Sequence, residues 1–393
     1  MTTLIGSTLS NRFDALAYRG QRTGWPRRVR SAALPSAVAS PSTGSSVQPA
    51  SKQPISTISA VSAAPQPSNK GSIEQITNFL QSELQQIYSK GVITEGRYAL
   101  DFSFTDPVVR LQGRTAFAQN LRLLTAIFNI RHSLHSISPG QWDGEVVTRW
   151  TFTANLKAVP WQQPLIFTGR SFYTVNSAGL LSSQRDVWDA VSDNEYFSIE
   201  GVQQIMRMAL NPMQTPNLDT PKYTVLKKTA DYEIRRYERF TTAEVSMPSE
   251  SSPASGSGFN DLAGYIFGGN REQERMEMTT PVLTTAGQKS KPAKMAFVME
   301  GRMGTDPQRL PVPRDSRVQL AVEGEKIAAA LMFSGFPLDN EVIEAERRLR
   351  GALLIDGYSP KEGYTLARYN DPFTLPFLRR NEVVITLKDF TMD

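Results

Sequence analysis

Residues 259–267, FNDLAGYIF, set Phe259, Leu262, Ala263, Ile266 and Phe267 at i, i+3, i+4, i+7 and i+8. That spacing puts all five on one face of an α-helix. At about 1.5 Å per residue the helix is roughly 13 Å long. Gly268-Gly269 ends it, because glycine takes the left-handed conformation at a helix end without steric cost. A Ser/Gly run (251–258) leads in, and a charged loop (270–277) followed by Met278-Thr279-Thr280-Pro281 leads out. Strand-like sequence stands on both sides, at 233–245 before it and at 283–285 and 295–300 after it. A short helix flanked by strands in this way calls for a mixed α+β unit.

The pattern occurs twice. Strand material at 326–333 precedes a helix over 339–354, with Val342, Ala345, Leu349, Ala352 and Leu353 on its face and Asp339 as its cap. Strands at 364–369 and 382–387 follow. The repeat lies in the order of elements, and residue identity between the halves is slight. In order and spacing, YTVLKKTADYEIRRYERFTTAEV (223–245), the 259–267 helix, MAFVMEGRM (295–303), LPVPRDSRVQL (310–320) and YNDPFTLPFLRRNEVVITL (369–387) resemble the SOUL haem-binding family in its plant chloroplast form. The resemblance covers residues 222–393. It implies a distorted β-barrel with two helices and a pseudo-twofold repeat, and haem or another tetrapyrrole as ligand.

A different unit precedes it. Residues 72–90 read as a helix with Ile73, Ile76, Phe79, Leu80, Leu84, Ile87 and Tyr88 on one side, Ser72 as cap and Gly91 as stop. A short strand and turn (101–114) carries Asp106-Pro107, and a second helix from Thr115 shows Phe117, Leu121, Leu124, Ile127 and Phe128. Runs at 144–156, 163–175 and 179–191 read as strands, the last two joined by an Asn-to-Gly hairpin, and a helix at 199–210 closes the set. The order predicts an α+β cone over 71–210. It resembles SnoaL-like or nuclear-transport-factor-type domains, as in the uncharacterised domain that precedes SOUL in some plant proteins. Residues 211–221, NPMQTPNLDTP, hold three prolines and no apolar period, and read as a linker.

Of the chain's 43 Lys and Arg and 38 Asp and Glu, eight and one lie in residues 1–70. Residues 71–393 therefore carry 35 and 37, and the electrostatic basis for nucleic-acid binding disappears. The Arg- and Ser-rich, acid-poor leader has the composition of a transit peptide followed by disordered sequence. A chloroplast address is expected, in the stroma or peripheral on thylakoid or plastoglobule. No 18-residue apolar run occurs. The absence of cysteine excludes disulfides, thiolate zinc, iron–sulfur clusters and Cys-ligated haem.

A tetrapyrrole needs an apolar face and cations for its propionates. Phe259, Leu262, Ala263, Ile266 and Phe267 offer the first, and Arg271, Arg379 and Arg380 the second, with Arg275 and Lys294 as further cations. Animal relatives carry basic residues on the helix where this chain has Ser257 and Tyr265, which leaves loop arginines for that role. No His or Cys lies in 222–393. Met276, Met278, Met295, Met299, Met303, Tyr265 and Tyr358 are the remaining axial candidates, and methionine more often fills cores. Binding without strong axial ligation is expected. Arg379-Arg380 pair with Glu382 or with a propionate. In the cone the polar candidates are Asp101, Asp106, His132, His135, Arg149, Arg170 and Asp186; two histidines without a third ligand make no zinc site. The expected function is non-enzymatic haem carriage or buffering, with haem oxygenase as a recipient. A plastid interaction protein, or an enzyme in the cone, is the alternative.

Overall fold

Two sheets form where apolar periodicity switches from the helical 3.6 to the alternating two. The structure, a computed structural model, describes residues 69–158, 163–248, 256, 258–287, 292–299, 301 and 304–392. The leader to Ser68, residues 249–255, Ser257 and Met303 lie outside the described residues.

The first sheet is built from α1 (Asn69–Lys90), β1 (Tyr98–Thr105), β2 (Arg110–Gln112), α2 (Arg114–Ile127), β3 (Phe128–Pro139), β4 (Glu145–Leu156), β5 (Leu165–Val175), β6 (Leu181–Trp188) and α3 (Ile199–Ala209). Strand order is β2-β1-β6-β5-β4-β3, with only β1 and β6 parallel. α1 begins before Ser72, so that residue is inside the helix and is not its cap. Ile76, Leu80, Leu84 and Ile87 from α1 pack with Phe117 and Leu121 from α2 against Tyr98, Phe102 and Tyr173 of the sheet. β3 departs from expectation. Phe128, read as helical, opens a 12-residue strand that carries both histidines.

The second sheet is built from β7 (Tyr223–Lys228), β8 (Glu233–Tyr237), β9 (Phe240–Ser246), α4 (Phe259–Ile266), β10 (Val282–Thr285), β11 (Lys294–Val298), β12 (Val318–Glu323), β13 (Lys326–Phe333), α5 (Asp339–Ile355), β14 (Ser359–Pro360), β15 (Thr365–Arg368) and β16 (Asn381–Lys388). Its order is β12-β9-β11-β10-β15-β16-β13-β8-β7, with β14 beside β16. It curls into a half-barrel. β9-α4-β10-β11 and β13-α5-β15-β16 share one topology, and β10 pairs with β15 between the halves. The strand before each unit crosses over: β8 pairs with β13, and β12 pairs with β9. This is the physical content of the pseudo-twofold repeat. α4 covers Ala243, Val245, Met295 and Phe297, and α5 covers Ala329, Leu331, Val383 and Ile385. Asp339 is the first residue of α5, and Leu338 occupies the cap position with no side-chain capping bond.

The inner face is charged. Glu382 is 0% exposed and accepts from Arg235 Nη1 and Nη2 (2.7 and 2.9 Å), Arg380 Nη2 and Nε (2.6 and 3.0 Å) and Tyr369 OH (2.9 Å). Glu233 accepts from Arg235 Nε (2.8 Å) and from Lys228. Burial alone would raise both carboxyls; the adjacent cations overcome it, bringing Glu233 down to about 2 and Glu382 lower still.

The described residues belong to one compact unit. β7 is the end strand of the large sheet, and β4 and β5 meet it with side chains. Thr151 Oγ1 donates to Val225 O (2.6 Å), Lys228 N–H donates to Thr168 Oγ1 (2.7 Å) and Arg149 Nη2 donates to Leu226 O (3.3 Å). Arg149 also clasps Asp189 at two points (2.8 and 2.6 Å). The segment expected as a linker is a strap. Gln214 N–H donates to Leu378 O (2.8 Å), Thr280 N–H to Asp219 O (2.9 Å), and Gly301 N–H to Asp219 Oδ2 (3.0 Å). Its prolines remove donors, but its carbonyls and Asp219 remain as acceptors.

Glu382→Gln leaves Arg380 buried without its counter-charge and Arg235 with Glu233 alone. Breaking such a network costs about 3–5 kcal/mol, which for a unit of this size is a melting temperature lower by on the order of 10 °C at pH 7. Glu382 titrates below its unfolded value, so its contribution is present above the ordinary glutamate range and drains away as pH falls. The difference in melting temperature between wild type and variant should therefore hold from pH 7 to about pH 5 and narrow progressively as pH falls below the ordinary glutamate range.

Candidate functional site

The apolar face of α4 is divided by the sheet beneath it. Leu262 (0% exposed), Ile266 (3%) and Tyr265 point into the core with Met276, Met295 and Phe297, and Tyr265 OH donates to Pro311 O (2.8 Å). Phe259 (38%) and Phe267 (54%) are exposed, with Ala263 half-buried between them. Residues 259, 263 and 267 follow the i, i+4, i+8 row, so they line up along the outer surface. Phe259 is braced edge-on against Phe297 (centroids 5.2 Å apart). Space above Gly264 is open: a Cβ there would meet nothing within 4 Å. The result is a shallow apolar shelf with bare backbone at its middle.

The two glycines after α4 are required for different reasons. Gly268 sits at φ +103°, a region strained for other residues. Gly269 donates to Gly264 O (2.8 Å), and a Cβ on it would lie 2.5 Å from that oxygen. The tight turn brings Arg275 opposite Phe267 across an antiparallel bridge, and Arg271 follows the turn on an exposed loop. At the helix start Arg317 bonds Asp261 Oδ1 (2.9 Å). The shelf is thus flanked by cations at both ends.

The other predicted cations lie elsewhere. Arg380 is 6% exposed on the inner face of the sheet, stacked over Tyr369 (4.1 Å) and bound to Glu382 and Thr215. Of the two readings for Arg380, the structure gives the Glu382 pair. Arg379 lies over Phe336 (4.3 Å) and donates to Thr374 O (2.8 Å) and Pro372 O. Lys294 also faces inward, bonded to Glu244 (2.9 Å) and Glu323 (3.2 Å). Leu262, Ile266 and Arg380 therefore do not share a surface with Phe259, Ala263 and Phe267. One strand signal points to the inner cluster: Glu233-x-Arg235 and Arg380-x-Glu382 are i, i+2 pairs, which share a face on a strand.

Among the described residues the candidate axial ligands pack or bond within the protein. Met276, Met295 and Met299 are buried in the core under α4, and Met278 packs against it. Tyr358 OH accepts from Lys227 Nζ (2.9 Å). Among the described residues no three His, Cys, Asp or Glu side chains gather as a metal site, and no helix is long and apolar enough to cross a membrane. The inner face holds a cavity of about 220 Å³ between Tyr223, Tyr237, Tyr369, Lys326, Arg380 and the strap.

The first sheet encloses a larger and more apolar cavity, about 300 Å³, walled by Phe117, Trp150, Phe152, Phe167 and Trp188. Tyr88, Asp106, His132 and Asp186 supply its polar atoms, with Asn120. Burial pushes Asp186 up to about 7, against hydrogen bonds from Ser171 and Gln184 (Nε2 to Oδ1 2.9 Å) and with a further push from Asp106. Burial likewise raises Asp106 to about 6, although Val108 and Val109 N–H groups donate to it (2.8 and 2.6 Å). Burial, then the nearby His135, lowers His132 to about 4, so its ring is neutral. It stacks on Tyr88 (4.9 Å), and its Nδ1 is buried with no partner. His135 faces the other way: Nε2 meets Thr151 Oγ1 (2.7 Å), whose proton is given to Val225, so the ring donates. Asp101 and Arg170 are exposed on the surface, and Arg149 belongs to the junction with β7.

Residues 218–386 match the model of the family described as SOUL heme-binding protein. Residues 74–184 match the model of an uncharacterized conserved protein family, DUF2358. No curated protein matches the chain. Solved structures similar to it include an NTF2-like protein of unknown function from Exiguobacterium sp. 255-15, 13% identical, covering 28% of this chain and 98% of its own, TM-score 0.25. An LEH-like epoxide hydrolase from Mycobacterium tuberculosis is 16% identical over 37% of this chain and 89% of its own, TM-score 0.26. A Delta 5-3-ketosteroid isomerase from Mycobacterium sp. is 17% identical over 28% and 92%, TM-score 0.24. The half-barrel thus has its family: the chain carries a SOUL haem-binding domain over residues 218–386, preceded by a DUF2358 region over residues 74–184.

Proposed function

We propose that the chain is a non-enzymatic haem or tetrapyrrole carrier or buffer of the chloroplast, delivering haem to its users or to haem oxygenase. The SOUL match over 218–386 carries this reading. The outer face of α4 supports it. Phe259, Ala263 and Phe267 offer apolar contact to a flat macrocycle, and Gly264 lets the ring approach the backbone. Arg275, across the bridge from Phe267, and the exposed Arg271 are the cations this reading gives to the propionates, and the core-facing Leu262 and Ile266 hold the helix in place. Bound haem brings its own iron, and no His or Cys in 222–393 stands ready to ligate it. The Arg- and Ser-rich leader supports import into the plastid, with the stroma or the periphery of thylakoid or plastoglobule as destination.

Haem titration of the full chain, followed by Soret absorbance, tests the shelf. Each outer aromatic supplies about 1.5–3 kcal/mol if fully covered by ligand. Phe267→Asp should therefore weaken binding about tenfold or more, about 1.4 kcal/mol or above, with an unchanged melting temperature. Leu262→Asp instead buries a carboxylate under α4 and should lower the melting temperature by many degrees. Wild-type affinity in both Phe259→Asp and Phe267→Asp would move the site off α4.

The same titration with iron-free porphyrin should give a dissociation constant within about tenfold of that for haem. A strong preference for the iron form, with a sharp low-spin spectrum, would instead identify a methionine or tyrosine as an axial ligand.

For the address, residues 1–75 fused to a fluorescent reporter should direct it into plastids of leaf cells; cytosolic fluorescence would rule out that destination.

A further inference from the structure

We propose that the cavity enclosed by α1, α2, α3 and the concave side of the first sheet is a second binding site, for an uncharged ring compound bearing one hydroxyl or carbonyl oxygen. The site is separate from the α4 shelf and does not depend on the haem reading.

Size sets the first limit. At about 300 Å³ the space matches the lower end of small-molecule sites, which run from about 300 to 1,000 Å³. A fused two- or three-ring compound suits it, and a tetrapyrrole does not. The walls set the second. Trp150, Phe152, Phe167 and Trp188 present aromatic surface from three adjacent strands, and Phe117 adds a ring from α2. Packing among these rings, such as Phe167 on Trp188 at 4.7 Å, holds the walls rigid.

Charge sets the third. No Lys or Arg is among the described residues that line the cavity. An anion, including a propionate or phosphate, finds no counter-charge there. The four titratable side chains of the lining, Tyr88 from α1, Asp106 after β1, His132 on β3 and Asp186 on β6, are all driven toward their neutral forms by burial. Tyr173 on β5, buried beside Asp186, is neutral for the same reason. A site that keeps its own groups uncharged favours an uncharged guest.

Hydrogen bonding sets the fourth. A protonated Asp186 is a donor in an apolar cavity, and one oxygen already accepts from Gln184. His132 Nδ1 is a buried polar atom without a partner. Such atoms are few in folded proteins and cost free energy unless something meets them. Tyr88, stacked on that ring, lies within electrostatic reach of both Asp106 and Asp186. One oxygen of a guest, placed among these groups, would find donors and an acceptor together.

The test is calorimetric titration of the full chain at pH 5 and pH 8 with 2-naphthol, 2-naphthoate and 1-naphthylmethylammonium. At pH 5, 2-naphthol should bind one-to-one and at least tenfold more tightly than either charged analogue. Ala154→Phe, which fills the cavity from β4, should abolish that binding; Leu124→Trp, on the half-buried side of α2, is the second blocking variant should the first fail to fold. As pH rises past the range where Asp186 ionises, binding by wild type should weaken, whereas Asp186→Asn should lose less. Haem titration of the blocked variants should match wild type, which separates this site from α4. Failure of 2-naphthol to bind, preference for either charged analogue at pH 5, or unchanged binding in both folded blocking variants would overturn the proposal.

Discussion

The half-barrel is organised around one carboxylate with no access to water. Glu382 on β16 is held by Arg235 from β8, by Arg380 from its own strand and by Tyr369. Because β8 belongs in sequence to the first half and pairs with β13 of the second, Arg235 bridges the two halves across the exchanged strand. Paired ions in such surroundings add little net stability compared with apolar packing, but they penalise every arrangement that separates them. A sheet with two similar halves has alternative pairings available to it. A charge cluster that is satisfied in only one of them selects the register.

That choice of interior determines where a ligand can go. In a simple barrel the lumen would be the obvious place for a flat apolar molecule. Here the inner face carries Arg235, Glu382, Arg380, Glu233, Lys294 and Glu244, and a cavity of only about 220 Å³ remains. The apolar surface has been moved to the outside of the sheet, under the two helices, and what α4 does not bury it displays. The helix therefore does two jobs with alternate positions of one stripe: Leu262 and Ile266 anchor, while Phe259, Ala263 and Phe267 face solvent.

Periodicity located α4 and α5 correctly because each carries five apolar residues at helical spacing, but periodicity does not distinguish a stripe's inner half from its outer half. Position 262 and position 263 are both on the apolar face, and only the packing against Val245 and Met295 separates them. Arg379 and Arg380 are adjacent in sequence, yet strand alternation sends one to the surface loops and the other inward. β3 is not legible in the sequence because its Asn, Arg, His and Ser residues interrupt the apolar alternation, and because Phe128 continues the helical spacing of α2. The aromatic cavity was invisible for a different reason. Trp150, Phe152, Phe167 and Trp188 are ordinary strand residues until three strands are laid side by side. Asp106, read as a turn residue, is one: Val108 and Val109 donate to it, and the same turn places it at the cavity.

The junction at β7 bears on what else could pair with the large sheet. An end strand carries a row of backbone donors and acceptors that any other extended chain can pair with. Hydroxyl and guanidinium groups of Thr151, Thr168 and Arg149 occupy that row at Val225, Leu226 and Lys228, using side chains where a strand would use backbone. The DUF2358 region thus covers the end strand of the SOUL domain's sheet. It occupies that edge with side chains and does not extend the large sheet.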